Sequence, residues 1–369
     1  MTELDLSKQS QQLAQTTSAL VVRSVSITGI FIILAVFALH AAADILIPIT
    51  IAYSLNLLLS PLIRKLGKLR IPAPLSAAVV VISFVGISVL GIYALFEPAE
   101  EWIQRGPQLT EQVKHKIRPM LGSIEGAQKV AAGVDTLIDD KVDQEPPLNV
   151  KVQPDVSRAE RMLSSTSSAL ASIGIVVVLL YFLLAAGDTF LNKLVSIIPK
   201  FKDKRRAVEI IREIQRDTSR YLITRTLINI GLGAVVSFAL YMLGMPNPIL
   251  WGTMAAVLNF APYVGPAISL SIMTVAAIIS FDTLPEALLV PLTVLLINIL
   301  EGEFISHHLI GKRLALSPVI VFMSIVFWGW IWGVAGALMA IPIIAAINVV
   351  CQHVDSLNPV SEFIRDSDD

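Results

Sequence analysis

Two apolar stretches decide the fold: PILWGTMAAVLNFAPYVGPAISLSIMTVAAII (residues 248–279) and PVIVFMSIVFWGWIWGVAGALMAIPIIAAINV (residues 318–349). The first is interrupted by Pro262–Pro266 and the second by Gly329–Gly336. A helix of about 32 residues is about 48 Å long, whereas a membrane span needs about 20 residues. Each half, at about 13 to 16 residues, is too short to span. The pattern predicts two re-entrant helical hairpins, whose irregular tips lie inside protein or face a water-filled cavity.

The two stretches also resemble each other. At a constant offset of 70 residues, Pro248 aligns with Pro318 and Pro266 with Gly336. Each stretch follows an ordinary apolar helix, Tyr221 to Leu243 in one case and Leu284 to Ile305 in the other. We therefore expect an inverted repeat, and interrupted helices in repeated halves are typical of a transporter binding site.

The composition indicates an all-α polytopic membrane protein. Of 369 residues, 54% are hydrophobic and only 15% are charged, and the apolar residues form long blocks. The net charge of −1 predicts no nucleic-acid partner. A single cysteine, Cys351, excludes an internal disulfide and a multi-thiolate metal site. We expect no cofactor.

The first apolar segment, Val21 to Leu39, is followed by small residues that resemble a signal-peptide cleavage site. The polar leader before it carries Glu3 and Asp5, whereas signal peptides begin with a short basic region. We therefore expect this segment to be a retained transmembrane helix.

Basic loops orient the membrane segments. The loop Arg64–Arg70 and the stretch Lys193–Arg225 are rich in Lys and Arg, which predicts that both are cytoplasmic. Both termini are then cytoplasmic, and the two hairpins place Lys312 and Arg313 inside as well. The remaining predicted segments are Ile45 to Leu62, Pro74 to Phe96 and Ala169 to Ala186, which makes about eight in all.

Two polar stretches separate these segments. Residues 97–165 form a small extracytoplasmic insert, with an amphipathic helix in its first half and a short strand at Leu148–Val152. Within Lys193–Arg225 the apolar residues keep a helical period after a possible cap at Asp203. This predicts an interfacial helix on anionic headgroups, with a regulatory or partner-binding helix as the alternative.

The predicted division is as follows: 1–96 leader and three helices, 97–165 insert, 166–220 fourth helix and basic segment, 221–352 transport core, and 353–369 cytoplasmic tail.

Several motifs resemble the AI-2E family, the autoinducer-2 exporter-like permeases. They run in order across residues 246–342: Pro262–Pro266, Glu301–Phe304, Leu309–Pro318, Phe327–Gly333 and Gly336–Pro342. The resemblance implies a bacterial inner-membrane permease of about eight segments and a homo-oligomer. It also implies either export of a small signalling molecule such as autoinducer-2 or exchange of a monovalent cation for protons. Ser306 and His307 stand where similar sequences usually have Thr-Pro, which leaves the local geometry there open.

Carboxylates within a membrane segment are costly and tend to be functional. Glu301 and Glu303 lie near the end of an apolar helix, beside Asn298. A poorly solvated carboxylate can alternate between a protonated and a cation-bound form, as proton coupling requires. The alternative is that both glutamates lie at the interface and pair with Lys312 or Arg313.

The interrupted tips supply the other candidates for the substrate or ion pathway. Prolines free backbone carbonyls and glycine permits close approach, and a neighbouring amide adds a polar group. The candidates of the first tip are Asn259, Pro262, Tyr263, Gly265 and Pro266. The alternative for this tip is a structural kink.

Trp330 and Gly333 are the corresponding candidates of the second tip, where close helix packing is the alternative. His307 and His308 have no His or Cys neighbours at ligand spacing, so no metal site is expected. Arg225 is interpreted as a snorkelling anchor rather than a substrate contact.

A secondary transporter that handles a small-molecule or ion substrate in contact with membrane lipid is the leading hypothesis. An oligomeric channel and a non-transport membrane adaptor are the alternatives. The sequence has no zinc-protease motif, nucleophile elbow or P-loop, which argues against an enzyme.

Overall fold

A computed structural model of the chain describes residues 26–121, 156–187, 201–306, 317–353 and 358–364. The predicted strand at Leu148–Val152, the His307–His308 pair and the basic residues Lys312 and Arg313 lie outside the described residues.

The described residues are helical, and no strand occurs among them, in agreement with an all-α fold. A π-helical turn, Glu301–Ser306, follows the eighth helix directly. The helices are α1 Ser26–Ala41, α2 Ala43–Lys68, α3 Ala73–Leu121, α4 Val156–Ala186, α5 Phe201–Met242, α6 Pro248–Leu258, α7 Val264–Ser280, α8 Leu284–Leu300, α9 Pro318–His353 and α10 Asn358–Ile364.

Five stretches of these helices are long and apolar enough to cross a membrane. They are Ala43–Lys68, Ala73–Gln104, Val208–Met242, Leu284–Glu303 and Pro318–Gln352. Shorter apolar helices occur at Ser26–Ala41, Leu170–Ala186, Pro248–Leu258 and Val264–Ser280. The count of eight membrane segments stays a prediction, since length and composition alone do not decide which short helices enter the bilayer.

Helix α5 differs from the expectation for the basic stretch. It runs unbroken from Phe201 to Met242, so the basic segment and the following apolar span form one helix. The expected separate interfacial helix is therefore wrong in that form, because an unbroken helix has no joint at which to turn onto the headgroups. Asp203, expected as an N-cap, lies inside this helix.

Helix α3 continues to Leu121, past residue 97, where the predicted polar insert begins. Residues 109–121, whose apolar residues recur at helical spacing, are therefore helical and continuous with the predicted membrane span rather than a separate element.

The first interrupted stretch folds back on itself. Helices α6 and α7 are separated by residues 259–263, and Tyr263 takes a positive φ of 64°. A Cβ on Gly265 would collide with the carbonyl oxygen of Leu258, so the arms meet closely just past the turn. We call residues 248–280 the first hairpin.

The second stretch also folds back, although both of its arms belong to α9. Gly333 has φ 62° and ψ −144°, which is not helical. The Ser324 hydroxyl donates to the Ala340 carbonyl at 3.2 Å, whereas residues this far apart in a straight helix lie about 24 Å from each other. A Cβ on Gly336 would collide with the Trp328 carbonyl oxygen, as at Gly265. We call residues 318–353 the second hairpin; that either hairpin re-enters the membrane stays a prediction.

Among the described residues, three buried apolar clusters join the helices. One joins α2, α3 and α4 through residues such as Ala52, Ala77 and Leu180. A second joins α5 to both arms of the first hairpin and to α8, around Val236 and Met273. A third places Leu57 of α2 against Tyr221 and Leu222 of α5 and Ile341 of the second hairpin. Helix α5 takes part in the second and third clusters, so its polar residues lie at the centre of the C-terminal half.

Candidate functional site

Arg225 and Asn229 are among the buried polar residues of helix α5. Arg225 and Asn229 are four residues apart, which places them one above the other along the helix. Arg225 is 5% exposed and Asn229 is 1% exposed. Both lie inside the candidate span Val208–Met242, where an unpaired charge would be costly.

Glu301 supplies the opposite charge. It lies where α8 ends and the π-helical turn begins, and its backbone N–H still bonds to Asn298 and Ile297 of that helix. Its carboxylate accepts a hydrogen bond from Nη1 of Arg225 at 3.0 Å, and the two side chains are 8% and 6% exposed. Because both members are buried, removal of either one alone would leave a charge in a poorly solvated place.

The same guanidinium also holds the turn of the first hairpin. Nη2 of Arg225 donates to the backbone carbonyl of Asn259 at 2.6 Å. Asn259 directly follows α6, where helix carbonyls lack intrahelical partners and a cation is favourable. One planar group therefore connects the end of α8 to the turn between α6 and α7.

An amide pair extends the cluster along α5. The side-chain Nδ2 of Asn259 donates to Oδ1 of Asn229 at 2.9 Å, and both residues are buried. Tyr221, one turn before Arg225 on α5, is also buried and close enough to interact electrostatically with Arg225 and Glu301. We call Tyr221, Arg225, Asn229, Asn259 and Glu301 the polar cluster.

The structure brings together only part of the predicted site. Glu301 and Asn259 meet in the polar cluster, and Gly265 forms the close approach of the first hairpin. Asn298 is half-buried, one turn before Glu301, while the side chain of Glu303 is exposed.

The tip residues lie farther out. Pro262 and Pro266 are half-buried, and Tyr263 is 57% exposed. In the second hairpin Trp330 is 73% exposed and Gly333 is exposed. None of these five side chains belongs to the polar cluster, so their part in a pathway stays a prediction.

Sequence reasoning missed two members of the cluster and misjudged a third. Asn229 and Tyr221 were not candidates, and Arg225 was interpreted as an anchor that reaches the headgroups. The structure contradicts that interpretation, because Arg225 is buried and paired with Glu301. The available signal was the recurrence of Tyr221, Arg225 and Asn229 at four-residue intervals where α5 changes from polar to apolar composition.

The outer surface supports a membrane environment. Among the described residues, large apolar side chains such as Phe31 on α1, Ile82 on α3 and Phe238 on α5 are more than half exposed. An apolar exterior around a buried ion pair reverses the usual arrangement of a soluble protein. These features define a polytopic membrane protein with a charged site inside its helix bundle.

The comparison with known proteins defines the family. The family model described as AI-2E family transporter matches residues 29–356, and the chain therefore belongs to the AI-2E family. This confirms the resemblance drawn from the motifs. The protein is accordingly a multi-pass protein of the bacterial inner membrane.

Relatives of similar length are described as transport proteins. The AI-2 transport protein TqsA of Escherichia coli K12 is 27% identical over 333 residues, covering 88% of this chain and 90% of TqsA. YrrI of Bacillus subtilis 168 is 26% identical over 322 residues, covering 84% and 86%. YhhT of Escherichia coli K12 is 23% identical over 319 residues, covering 84% and 85%. YrrI and YhhT are named as candidate transport proteins, and none of the three is named as an enzyme.

Proposed function

We propose that this protein is a secondary transporter whose substrate or ion pathway passes the polar cluster. The cargo is either a small polar signalling molecule such as autoinducer-2, which is exported, or a monovalent cation exchanged for protons. Membership of the AI-2E family and the name of the TqsA relative support a transport role.

The buried Arg225–Glu301 pair is the observation that carries the proposal. A buried ion pair seldom adds net stability over apolar residues of similar size, so its presence favours a functional explanation. Glu301 can lose its charge by taking up a proton or by binding a cation. Arg225 then loses its counter-charge while it still bonds to the Asn259 carbonyl.

This geometry connects chemistry to conformation. When Glu301 is neutralised, the arrangement that satisfies Arg225 changes, and Arg225 is bonded to the turn of the first hairpin. Because Gly265 packs directly against Leu258 at this turn, a shift of the turn acts on both arms of that hairpin in the proposed mechanism. A carrier needs a binding event that shifts the balance between two arrangements of the bundle.

The membrane topology belongs to the same proposal. Both hairpins are re-entrant, the termini are cytoplasmic, and the chain has about eight membrane segments and assembles as a homo-oligomer. The turn of the first hairpin at the polar cluster fits a re-entrant tip, since irregular backbone at membrane depth is tolerated where it is buried in protein.

The test is flux through purified protein in proteoliposomes. Wild type is compared with Glu301→Gln, and Glu286→Gln is the matched control because Glu286 is an exposed carboxylate in the first turn of α8, the helix that precedes Glu301. One assay follows labelled autoinducer-2, and a second follows a lumenal pH dye after addition of Na⁺. We expect saturable flux in wild type and in Glu286→Gln, and its loss in Glu301→Gln.

Other outcomes contradict the proposal in distinct ways. Flux in Glu301→Gln equal to wild type removes this carboxylate from the pathway. Flux that does not saturate favours a channel over a carrier. Absence of both fluxes from an intact protein favours a membrane adaptor.

A further inference from the structure

The amide pair in the polar cluster is only half satisfied. Two side-chain amides can bond to each other twice, yet Asn229 and Asn259 share a single hydrogen bond. Nδ2 of Asn229 and Oδ1 of Asn259 are buried and have no hydrogen-bond partner among the described residues. The two residues are only 1% and 2% exposed, so bulk water does not serve these atoms in this arrangement.

This deficit does not depend on how the amides are assigned. If both amides were rotated by half a turn, the donor and the acceptor of the shared bond would exchange places. The pair would still hold one further donor and one further acceptor. A group bound by the pair must therefore offer both a hydrogen-bond acceptor and a hydrogen-bond donor.

An unsatisfied buried polar atom lowers the stability of the folded state, and leucine of similar size would avoid that cost in an apolar bundle. Native proteins contain few such atoms, and local conflicts of this kind concentrate at functional sites. The pair also lies beside the proposed pathway, because Arg225 bonds to the backbone of Asn259. A structural role accounts for the shared hydrogen bond but not for the two atoms left over.

We propose that Asn229 and Asn259 form a binding subsite for a single hydroxyl group of an uncharged solute. A hydroxyl both donates and accepts, so one oxygen can accept from the free donor and donate to the free acceptor. A bare monovalent cation fits poorly, because cations are coordinated by oxygen atoms and the pair has only one unsatisfied oxygen, beside an unsatisfied N–H donor. The subsite therefore selects a neutral hydroxylated cargo over a cation.

The position of the subsite gives it a role in the transport cycle. In this arrangement the side chain of Asn259 contacts the solute, while the backbone carbonyl of Asn259 accepts a hydrogen bond from Arg225. Arg225 in turn bonds to Glu301. Occupancy of the subsite is thus transmitted to the ion pair through one residue. This inference rests on the proposed function, since it names which of the two cargo classes the pathway takes.

The test replaces both amides at once. The double variant Asn229→Leu/Asn259→Leu removes the shared hydrogen bond together with both unsatisfied atoms, and it leaves the Asn259 backbone contact in place. Asn348→Leu is the matched control, because Asn348 is also buried and its Oδ1 accepts a bond from the Ser361 hydroxyl at 3.0 Å. Thermal unfolding in detergent and uptake of labelled autoinducer-2, a hydroxylated probe, are measured for each protein.

We expect the double variant to unfold at or above the wild-type temperature, because replacing both partners by apolar groups is close to neutral or stabilising. Its uptake at low probe concentration should fall by about tenfold or more, since two hydrogen bonds to the hydroxyl are lost. Asn348→Leu should unfold at a lower temperature, because the Ser361 hydroxyl loses its acceptor, and should keep its uptake.

Two results overturn the inference. A lower unfolding temperature of the double variant identifies the pair as structural, and wild-type uptake by that variant removes the pair from the pathway. If wild type takes up no probe at all, the proposed function fails separately. In that case the unfolding temperature is measured with and without the probe. A rise with the probe in wild type that is absent from the double variant supports the subsite, and no rise in wild type overturns it.

Discussion

Replacement of Arg225 by methionine tests the electrostatic account of the polar cluster. The change keeps an unbranched apolar side chain but removes the guanidinium that lies 3.0 Å from the Glu301 carboxylate. The two side chains are 6% and 8% exposed, so the remaining carboxylate stays in a poorly solvated place. Breaking a buried pair in this way costs about 3–5 kcal/mol in the free energy of unfolding.

The double variant Arg225→Met/Glu301→Leu should recover most of that loss. It removes both charges, and apolar residues of similar volume in place of a buried ion pair are often neutral or stabilising by about 1–4 kcal/mol. We therefore expect the double variant to be more stable than Arg225→Met alone. The change in unfolding free energy of the double variant should differ from the sum of the two single changes by about 3 kcal/mol or more. This is the upper end of the coupling between residues in direct contact.

The measurement is a double-mutant cycle on detergent-solubilised protein, with unfolding followed by tryptophan fluorescence. Arg205→Met is the matched control, because Arg205 pairs with Glu209 at 3.0 Å but the two side chains are 84% and 59% exposed. That exposed pair should contribute no more than about 1 kcal/mol. The account is refuted if Arg225→Met costs no more than the Arg205 control, or if the effects of the two substitutions simply add.

Two further predictions concern the hairpins. Gly265→Ala should lower the free energy of unfolding by about 1–3 kcal/mol in the same assay, because the new Cβ would collide with the Leu258 carbonyl oxygen. Gly231→Ala is the control and should not lower stability, because a Cβ there has open space. An equal effect of the two changes would contradict the close approach. Trp332→Phe should lower stability by about 0.5–1.5 kcal/mol and increase amide hydrogen exchange around Leu39, because the indole N–H donates to the Leu39 carbonyl at 3.0 Å. Unchanged exchange there would show that this bond does not hold the second hairpin.

The interruptions of the helices could be predicted from the sequence because they depend on local chemistry. Clustered proline and glycine residues weaken a helix through local backbone chemistry, and both predicted turns contain a residue with positive φ, Tyr263 in one and Gly333 in the other. Glu301 could be predicted because a carboxylate in an apolar helix is conspicuous. These signals need no knowledge of which elements meet.

The partners of Arg225 could not be predicted in the same way. They lie 34 and 76 residues along the chain, so only the tertiary fold brings them together. In a membrane protein the apolar residues surround the whole helix, and hydrophobic periodicity therefore does not indicate which face of α5 points inward. The extent of α5 was misjudged for a related reason: the change from polar to apolar composition marks the membrane boundary, not the end of a helix.

The two hairpins resemble each other in backbone geometry but differ in what holds them. In each, a glycine just past the turn packs against a carbonyl of the opposite arm, Gly265 against Leu258 and Gly336 against Trp328. The turn of the first hairpin is held by a buried guanidinium that also pairs with Glu301.

The turn of the second hairpin contacts the end of α1 through the Trp332 indole and the His40 ring. The Trp332 indole donates to the Leu39 carbonyl, and the Ile331 carbonyl lies 3.0 Å from Nδ1 of His40. Within the described residues, the first turn is bonded to Arg225, which pairs with Glu301, so in the proposed mechanism proton or cation binding at Glu301 acts directly on the first hairpin. A repeat in sequence therefore does not imply equal roles, and the transport proposal requires substitutions at the first turn to alter coupling more than substitutions at the second.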